Sequence, residues 1–366
     1  MNLFYVLAGK ALHAGFNAAR RRARVQVAKS KAVPDVNLDA NSVAEAAKST
    51  QRAANKIAGR TRAQNLAVRK LTGQSGAGIS TATILSWLSL PLAYVLLSPR
   101  VMKPLYRPLL FHPAPFPAAV DENLPLALGV EPEECYFNSY GSLAPKETLH
   151  GWWFAHPHKK DAPVVLFSHG NSGNITIRTG LCELLMRSGA SVFVYDYRGF
   201  GKSTGLPTVE GVSQDGVAAF DFLQERMGVK CDQLFLYGES LGAAVTTYIH
   251  SQRECAGMVL QSGFSSLRAI AGHSFAPLKV YPNWLFPHPG FDSEAILRRT
   301  EHPPLLVIHG KLDQVVPYAH GLALYEAASA RKKLLALPAT NHSDLLATAA
   351  TQLHEELSSF FSKTAF

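Results

Sequence analysis

The fold is decided by one stretch of the chain, Gln233-Leu-Phe-Leu-Tyr-Gly-Glu-Ser-Leu-Gly-Ala-Ala-Val-Thr-Thr-Tyr-Ile249. A run suited to a strand leads into the pattern Gly-x-Ser-x-Gly at 238–242, and a run suited to a helix follows at once. A serine on a sharp turn between strand and helix has its hydroxyl exposed at the end of the strand. The glycines leave room where the turn brings helix and strand close together. The stretch therefore predicts Ser240 as a nucleophile.

A second Gly-x-Ser-x-Gly pattern occurs at 201–205, with Ser203 at its centre. It follows a glycine-rich segment rather than a strand, and it runs into Leu206-Pro207, which begins no helix. The context that a nucleophile needs is therefore missing. We interpret Ser203 as a loop hydroxyl that ties down a turn.

Outward from the first stretch, apolar runs bounded by Gly or Pro alternate with helix-length segments from about residue 133 onward. The apolar runs lie at 163–167, 191–195, 233–237, 258–260, 304–308 and 334–337, and the helical segments at 176–188, 212–226, 242–253, 318–330 and 343–361. Apolar strands with helical crossovers predict an α/β fold with a mostly parallel sheet covered by helices on both faces. Segments 134–138 and 148–154 predict an antiparallel hairpin that leads into this sheet.

A nucleophilic serine needs a base, and the base needs a carboxylate that orients it. His342 follows the last apolar run across a loop and precedes the final helix. This position is at the C-terminal edge of the predicted sheet, where a base must lie to reach Ser240. His250 and His354 fall within helical segments and His309 within a strand end, so we interpret these as structural. His342 is the predicted base.

The carboxylates between the nucleophile and the base are few. They are Glu254, Asp292, Glu294, Glu301, Asp313 and Glu326. No acid occurs between Cys255 and Phe291, which excludes an acid on the loop after 258–260. Asp313 directly follows an apolar strand and precedes His342 by an interval that holds one helix and one strand. It is the predicted acid, and the alternative role is that of an N-cap or loop carboxylate.

Acyl transfer through a tetrahedral intermediate needs two N–H donors for the developing oxyanion. One is the residue after the nucleophile, Leu241, and the other comes from the loop after a neighbouring strand. That loop is His169-Gly-Asn-Ser-Gly-Asn174, and Asn171 is the expected donor. The loop does not match the phosphate-binding pattern Gly-x-x-x-x-Gly-Lys-Ser/Thr. No metal and no organic cofactor is implied.

The net charge of +9 is concentrated in a basic leader and spacer at 1–70. These residues hold 14 Lys and Arg against three acids, so the other 296 residues sum to −2. Such a leader favours an anionic membrane or a targeting role, and its scarcity of aromatics argues against nucleic acid. The arginines at 20–24 are typical of organellar transit peptides or of the flank of a membrane anchor.

The leader is followed by an uncharged segment at 71–99, whose centre, 79–97, has 13 apolar residues in 19. A membrane span needs about 20 predominantly apolar residues. We therefore predict a transmembrane or membrane-lying helix, with a helix packed on the catalytic domain as the alternative. Eight prolines between 99 and 132 predict an extended connector at 100–132. The catalytic domain is then 133–366.

Five segments give the chain from about 133 to 363 a resemblance to the α/β-hydrolase superfamily. More narrowly, the chain resembles the Bem46-like group, which includes the ABHD13- and ABHD17-type serine hydrolases. The segments are Ser168-His-Gly-Asn-Ser-Gly-Asn174, Asp196-Tyr-Arg-Gly-Phe-Gly-Lys-Ser203, Gly238-Glu-Ser-Leu-Gly242, Phe291-Asp-Ser293 and His309-Gly-Lys-Leu-Asp313.

The resemblance implies the same site: Ser240 as nucleophile, Asp313 as acid, His342 as base, and Asn171 with Leu241 as oxyanion hole. Such proteins are commonly anchored in membranes at the N-terminus. They act on acyl esters or thioesters, and some remove palmitate from proteins. The chain departs from the group in two respects. Its catalytic histidine follows an asparagine at 341, where the family often has Gly, and its leader lacks the cysteine cluster of ABHD17-type proteins.

Residues 264–302 lie between two predicted strands and are expected to form a short cap over Ser240. This segment is rich in aromatic residues and proline. The aromatic side chains are interpreted either as a wall for an acyl chain or as the packing of the cap itself.

The sequence thus predicts a membrane-associated serine hydrolase that cleaves a carboxylic ester or thioester through an acyl-enzyme. The expected substrate is an acyl ester or thioester carried by a lipid or a lipidated protein. One alternative is a catalytically silent scaffold, whose signature is loss of a triad member. The other is a serine peptidase of the proline-iminopeptidase kind, for which a larger helical cap is expected.

Overall fold

A computed structural model describes the chain at residues 81–116, 129–140, 147–288, 291–329 and 331–362. Residues Thr81–Phe366 form one compact unit. The predicted leader at 1–70 and the first ten residues of the predicted membrane segment at 71–99 lie outside the described residues.

The secondary structure follows the alternation predicted from the sequence. In chain order the elements are α1 (Thr81–Leu96), α2 (Lys103–Leu110), β1 (His112–Pro113), β2 (Glu133–Asn138), β3 (Thr148–Phe154), β4 (Val164–Ser168), β5 (Ser172–Gly173), α3 (Thr179–Arg187), β6 (Ser191–Tyr195), α4 (Val209–Glu225), β7 (Leu234–Glu239), α5 (Leu241–His250), β8 (Gly257–Gln261), α6 (Leu267–Ser274), α7 (Ser293–Arg299), β9 (Leu305–Gly310), α8 (Tyr318–Ala327), β10 (Lys332–Leu337) and α9 (Leu345–Phe361).

Eight of the described strands form one sheet in the order β10-β9-β8-β7-β4-β6-β3-β2. The strands from β10 to β6 run parallel, whereas β3 pairs antiparallel with both β6 and β2. The predicted parallel sheet and the predicted hairpin at its edge are both confirmed. In such a sheet the carboxyl ends of the parallel strands meet at one edge, and ligand sites lie there.

The sheet separates two apolar clusters, and β4 shows how its residues divide between them. Val164 and Leu166 point to one face, where they pack in a cluster that includes α4 and α5. Val165 and Phe167 point to the other face, in a cluster with α3 and α9. Burial of each large apolar side chain stabilises the fold by about 1.5–3 kcal/mol. Double-sided burial explains why these strands are continuous apolar runs rather than alternating ones.

The predicted extended connector contains a helix. Helix α2 has Pro104 in its first turn, where a missing N–H costs no hydrogen bond. It also contains Pro108 in its interior, where one helical hydrogen bond is lost, so the proline content shortened the helix without preventing it. Directly after it, β1 pairs in parallel with β5, His112 opposite Ser172. The connector is therefore hydrogen-bonded to the loop that follows β4.

Helix α1 lies within the predicted membrane segment, has 16 residues and contains Pro91. Within the described part of the chain, no helix combines the length and the apolar character that crossing a bilayer requires.

Candidate active site

Ser240 lies on the tight turn between β7 and α5, as the sequence predicts. Its backbone has φ 54° and ψ −111°, a conformation that costs a non-glycine residue free energy and is characteristic of functional turns. The flanking glycines are required because the turn packs closely. A Cβ on Gly242 would overlap the carbonyl oxygen of Ser168, and one on Gly238 would overlap that of Gly242.

His342 and Asp313 meet Ser240 at the C-terminal edge of the sheet. Asp313 follows β9, and His342 follows β10. The distance from His342 Nε2 to Ser240 Oγ is 3.1 Å, and that from His342 Nδ1 to Asp313 Oδ2 is 2.7 Å. A carboxylate can only accept, so Nδ1 carries the proton and Nε2 is left to accept the hydrogen bond from the serine hydroxyl. This is the arrangement that a general base requires.

The carboxylate of Asp313 is fixed in place and held in its charged form. Its Oδ1 accepts hydrogen bonds from the backbone N–H groups of Val315 and Val316, at 2.9 and 2.7 Å. Burial opposes the charged form, but His309 and His342 at Oδ2 and the N–H of Val316 outweigh it. Together they hold the pKa of Asp313 well below its ordinary value.

His309 is fully buried beside this carboxylate. Its Nε2 lies 2.8 Å from the carbonyl oxygen of Val316, to which it donates, and 3.4 Å from Asp313 Oδ2. The interpretation of His309 as structural agrees with its burial, but its contact with Asp313 was not anticipated. In the sequence, the only indication of this contact was that His309 and Asp313 are four residues apart.

The loop that carries Asn171 leaves the sheet next to the nucleophile turn, because Ser168 on β4 is in register with Gly238 on β7. The side-chain amide of Asn171 donates to the carbonyl of Leu110, and the backbone carbonyl of Asn171 accepts from the N–H of His112. These bonds fix the loop, and they engage the side-chain amide of Asn171 with Leu110. The expected oxyanion donor is therefore its backbone N–H.

Leu241 is the first residue of α5, so its N–H has no hydrogen-bond partner within the helix by position. Peptide N–H groups at a helix N-terminus carry partial positive charge and favour an anion nearby. Leu241 is thus placed where an oxyanion donor is needed.

An ion pair that the sequence did not reveal joins the nucleophile turn to the oxyanion loop. Glu239, which precedes Ser240, contacts Arg178 with 2.8 Å between Oε2 and Nε. Arg178 Nη2 also donates to the carbonyl oxygen of Ser172 at 3.3 Å. The pair therefore ties the loop to the turn. The two residues are 61 positions apart, and no local pattern marks them as partners.

Asn341, which directly precedes His342, connects the loops that carry Asp313 and His342. Its Oδ1 accepts hydrogen bonds from the backbone N–H groups of Gln314 and His342, at 3.1 and 2.8 Å. Its own N–H donates to Asp344 Oδ1 at 2.7 Å. Asn341 is thus a positioning residue, since it touches the residue after the acid and the base itself. A glycine here has no side chain to make this bridge.

We expect Asn341→Gly to lower kcat for the hydrolytic reaction by about tenfold with little change in KM, since one bridging acceptor is lost. Asn341→Asp keeps an acceptor oxygen and is expected to retain most of kcat. Steady-state kinetics on both variants, with melting temperatures as a check of folding, measures the effect. Equal rates for Asn341→Gly and the native protein would contradict the positioning role.

Ser203 lies in the loop after β6 with its hydroxyl engaged by backbone. Its Oγ donates to the carbonyl of Asp196 at 2.7 Å and accepts from the N–H of His150 at 2.9 Å. This is the turn-fixing geometry inferred from the sequence.

The segment 264–302, predicted as a cap, contains α6, α7 and the two short 3₁₀ turns between them, and its aromatic side chains differ in burial. Phe264, Phe286 and Phe291 are buried in the core cluster and account for the cap's own packing. Tyr281 is half-buried against this cluster, and Phe275 and Trp284 are exposed.

The fold and the constellation at its edge define a class of protein: the chain belongs to the α/β-hydrolase superfamily. Residues 159–302 match the family model Hydrolase_4, described as serine aminopeptidase, S33. Among curated relatives, uncharacterized protein Rv2307c of Mycobacterium tuberculosis is 34% identical over 196 residues, which cover 54% of this chain and 68% of the relative. Uncharacterized protein YfhR of Escherichia coli is 31% identical over 208 residues, covering 54% and 69%.

Solved structures show the same fold. The esterase Pf2001 of Pyrococcus furiosus superposes with a TM-score of 0.57 at 20% identity, covering 70% of this chain and 98% of the esterase. Est1E of Butyrivibrio proteoclasticus, solved with ferulic acid bound, gives a TM-score of 0.50 at 16% identity, covering 63% and 98%.

Proposed function

We propose that the protein is a serine hydrolase that cleaves a carboxylic ester or thioester through an acyl-enzyme. One observation carries this proposal: Ser240 Oγ, His342 and the buried carboxylate of Asp313 form a continuous chain of contacts at 3.1 and 2.7 Å. Within the superfamily we assign the chain to the Bem46-like group, on the order and spacing of the five motifs that resemble it.

The geometry supports the following sequence of steps. Ser240 Oγ attacks the acyl carbon as His342 Nε2 takes the hydroxyl proton, and Asp313 stabilises the resulting imidazolium. The oxyanion is bound by the backbone N–H groups of Asn171 and Leu241. When the intermediate collapses, His342 returns the proton to the departing alcohol or thiol and the acyl group stays on Ser240. Water then attacks the acyl-enzyme by the same route, which releases the acid and restores the serine.

An aminopeptidase is the second candidate, because the matching family model is described as a serine aminopeptidase. An enzyme of that kind has to bind the ammonium group of its substrate. A carboxylate is the expected partner, because a charge that is removed from water needs an opposite charge beside it. The stretch from Cys255 to Phe291, which includes most of the cap, contains no acid. Glu239, next to the nucleophile, is already paired with Arg178. These observations favour a neutral acyl substrate.

We further propose that the uncharged segment at 71–99 and the basic leader at 1–70 hold the catalytic domain, 133–366, at a membrane, where lipidic substrates reside. Organellar targeting is the alternative role of the leader. Extraction of membranes with sodium carbonate tests this association. Release of the protein into the wash, rather than retention in the pellet, would count against a firmly embedded segment.

The activity is tested with purified protein on matched ester and thioester substrates, with acyl chains from acetyl to palmitoyl, and on an aminoacyl anilide. We expect turnover of the acyl substrates and a distinct optimum of chain length. Turnover of the anilide alone would replace the proposal with the peptidase. No turnover of any substrate by the folded protein would favour the scaffold.

A further inference from the structure

The described part of the chain exposes its large apolar side chains unevenly. Of nineteen such side chains, eleven lie either at 90–109, in and around α1 and α2, or at 275–284 in the cap. Monomeric proteins rarely expose apolar side chains in such a concentration unless something binds there. We call this set the apolar face, and its most exposed members in the three elements are Leu90, Leu92, Leu105, Leu109, Val280 and Trp284.

Helix α1 and the cap form one surface, because specific contacts join them. Tyr94 stacks on Tyr281 with ring centroids 4.8 Å apart, and its hydroxyl donates to the carbonyl of Val280 at 2.7 Å. Arg100 follows α1, and its guanidinium donates to the carbonyl of Trp284 at 2.9 Å, while its backbone N–H donates to Leu285 at 2.8 Å. Exposed apolar side chains of α1 and of the cap therefore lie on adjacent elements.

The chain segments that carry this surface contain Lys and Arg but no acid, and the first acid after them, Asp292, lies 3.5 Å from Asn283 of the cap. Residues 81–116 and 255–291 contain no Asp or Glu. They contain five Lys and Arg residues: Arg100, Lys103, Arg107, Arg268 and Lys279. Apolar side chains interspersed with Lys and Arg, without acids, are the composition of surfaces that lie in the interface of an anionic bilayer.

We propose that the apolar face docks on an anionic lipid bilayer, with its apolar side chains among the acyl chains and its cations at the head-groups. This deepens the membrane association of the hydrolase proposed above and rests on it. It differs from a span, since the docking elements are surface helices and the cap, which belong to the same compact unit as the candidate active site.

The docking face also continues into the candidate site. Helix α2 ends at Leu110, whose carbonyl accepts the side-chain N–H of Asn171, and His112 donates to the carbonyl of Asn171. Strand β1 then pairs with β5 in the oxyanion loop. The end of α2, where the bilayer would bind, is thus hydrogen-bonded to the loop that carries the predicted oxyanion donor, Asn171. An acyl ester in that bilayer is the substrate class that this placement fits.

The test measures binding of the full chain to vesicles of phosphatidylcholine, alone or with phosphatidylglycerol, by co-sedimentation. Salt at about 0.5 M shortens the Debye length and so weakens purely electrostatic attraction of the basic leader. The variant Leu92→Ser/Leu109→Ser/Trp284→Ser removes an exposed apolar side chain from each of the three elements. The control, Leu206→Ser, removes one of similar exposure, 64%, from the loop between β6 and α4.

We expect the native protein to prefer anionic vesicles and the triple variant to bind them at least about tenfold more weakly. Leu206→Ser should bind as the native protein does. Native melting temperatures and fluorophosphonate labelling in solution would show that the variants are folded. Unchanged binding of the triple variant, or equal binding of the native protein to neutral vesicles, would overturn the proposal. Absence of vesicle binding would overturn it too and point to a protein partner.

A second measurement does not depend on weakened binding. Lipids brominated on their acyl chains quench tryptophan that reaches the acyl region, and the difference between native protein and Trp284→Phe isolates Trp284. We expect that difference to show strong quenching. An unquenched Trp284 on bound vesicles would place the cap away from the bilayer and contradict the proposal. Neither measurement uses hydrolysis, so failure of docking and failure of the proposed activity are distinguishable.

Discussion

Ser240→Ala is expected to abolish covalent labelling by a fluorophosphonate probe and to lower kcat on an acyl ester by about 10⁶-fold. The hydroxyl of Ser240 lies 3.1 Å from His342 Nε2, within hydrogen-bond distance of the proposed base. Without it the acyl-enzyme cannot form, and the remaining N–H groups and bound water give only residual catalysis. The measurement is a labelling time course together with steady-state kinetics.

The stability of Ser240→Ala is expected to stay at or above that of the native protein. Alanine occupies the same strained backbone position, φ 54° at residue 240, and removes only the nearly buried hydroxyl that contacts His342. A melting curve therefore distinguishes loss of the nucleophile from loss of the fold. A labelled Ser240→Ala protein would contradict the assignment of the nucleophile.

Ser203→Ala is the matched control, because it alters the second Gly-x-Ser-x-Gly pattern. It is expected to keep the native labelling rate and to be less stable by about 1–3 kcal/mol, since the buried N–H of His150 loses its acceptor. Ser240→Ala is therefore expected to lose labelling and keep its stability, whereas Ser203→Ala is expected to keep labelling and lose stability.

The parallel sheet and the grouping of Ser240, Asp313 and His342 were predictable because they depend on local signals. A strand buried on both faces must be apolar throughout, and a nucleophile turn must have a strand before it and a helix after it. Once the strands were placed, the residues that follow them had to meet at one edge. The chain order of serine, acid and histidine then left few candidates.

Contacts between distant segments were not predictable from one sequence. The pairing of β1 with β5 joins residues about 60 positions apart through backbone groups, which leave no mark on side-chain pattern. Arg178 and Glu239 pair through their side chains, but no local pattern marks two residues 61 positions apart as partners. The bridge made by Asn341 depends on the approach of two loops that follow different strands, and only the folded chain brings them together.

Amino-acid composition alone gave a wrong or ambiguous prediction where the position of a residue within a helix, or its burial, decides the structure. The prolines at 99–132 argued for an extended chain, yet α2 has Pro104 in its first turn, where proline is compatible with a helix, and contains Pro108 as well. The aromatic residues of the cap were equally ambiguous, because packing and exposure use the same residue types. Only burial separates Phe286, in the core, from Trp284, on the apolar face.

Asp313→Asn is expected to lower kcat/KM by about 10⁴-fold while leaving the fold intact. The amide oxygen can still accept from the N–H groups of Val315 and Val316, which bind Oδ1 in the native protein. The amide NH₂ then faces His342 Nδ1, which must become an acceptor. The ring proton moves to Nε2, so the imidazole can no longer take the proton of Ser240.

The matched control for this variant is Asp292→Asn, at another carboxylate between the nucleophile and the base. Asp292 caps helix α7 by accepting from the N–H of Ala295 at 3.2 Å, and asparagine is an equally good cap. It is expected to keep both native kcat/KM and native stability. The assignment of Asp313 as the orienting carboxylate would be wrong if Asp313→Asn lowered kcat/KM by less than about tenfold, or if Asp292→Asn lowered it more than Asp313→Asn does. Because the charge of Asp313 also stabilises the imidazolium, the variant should slow labelling by the fluorophosphonate along with turnover.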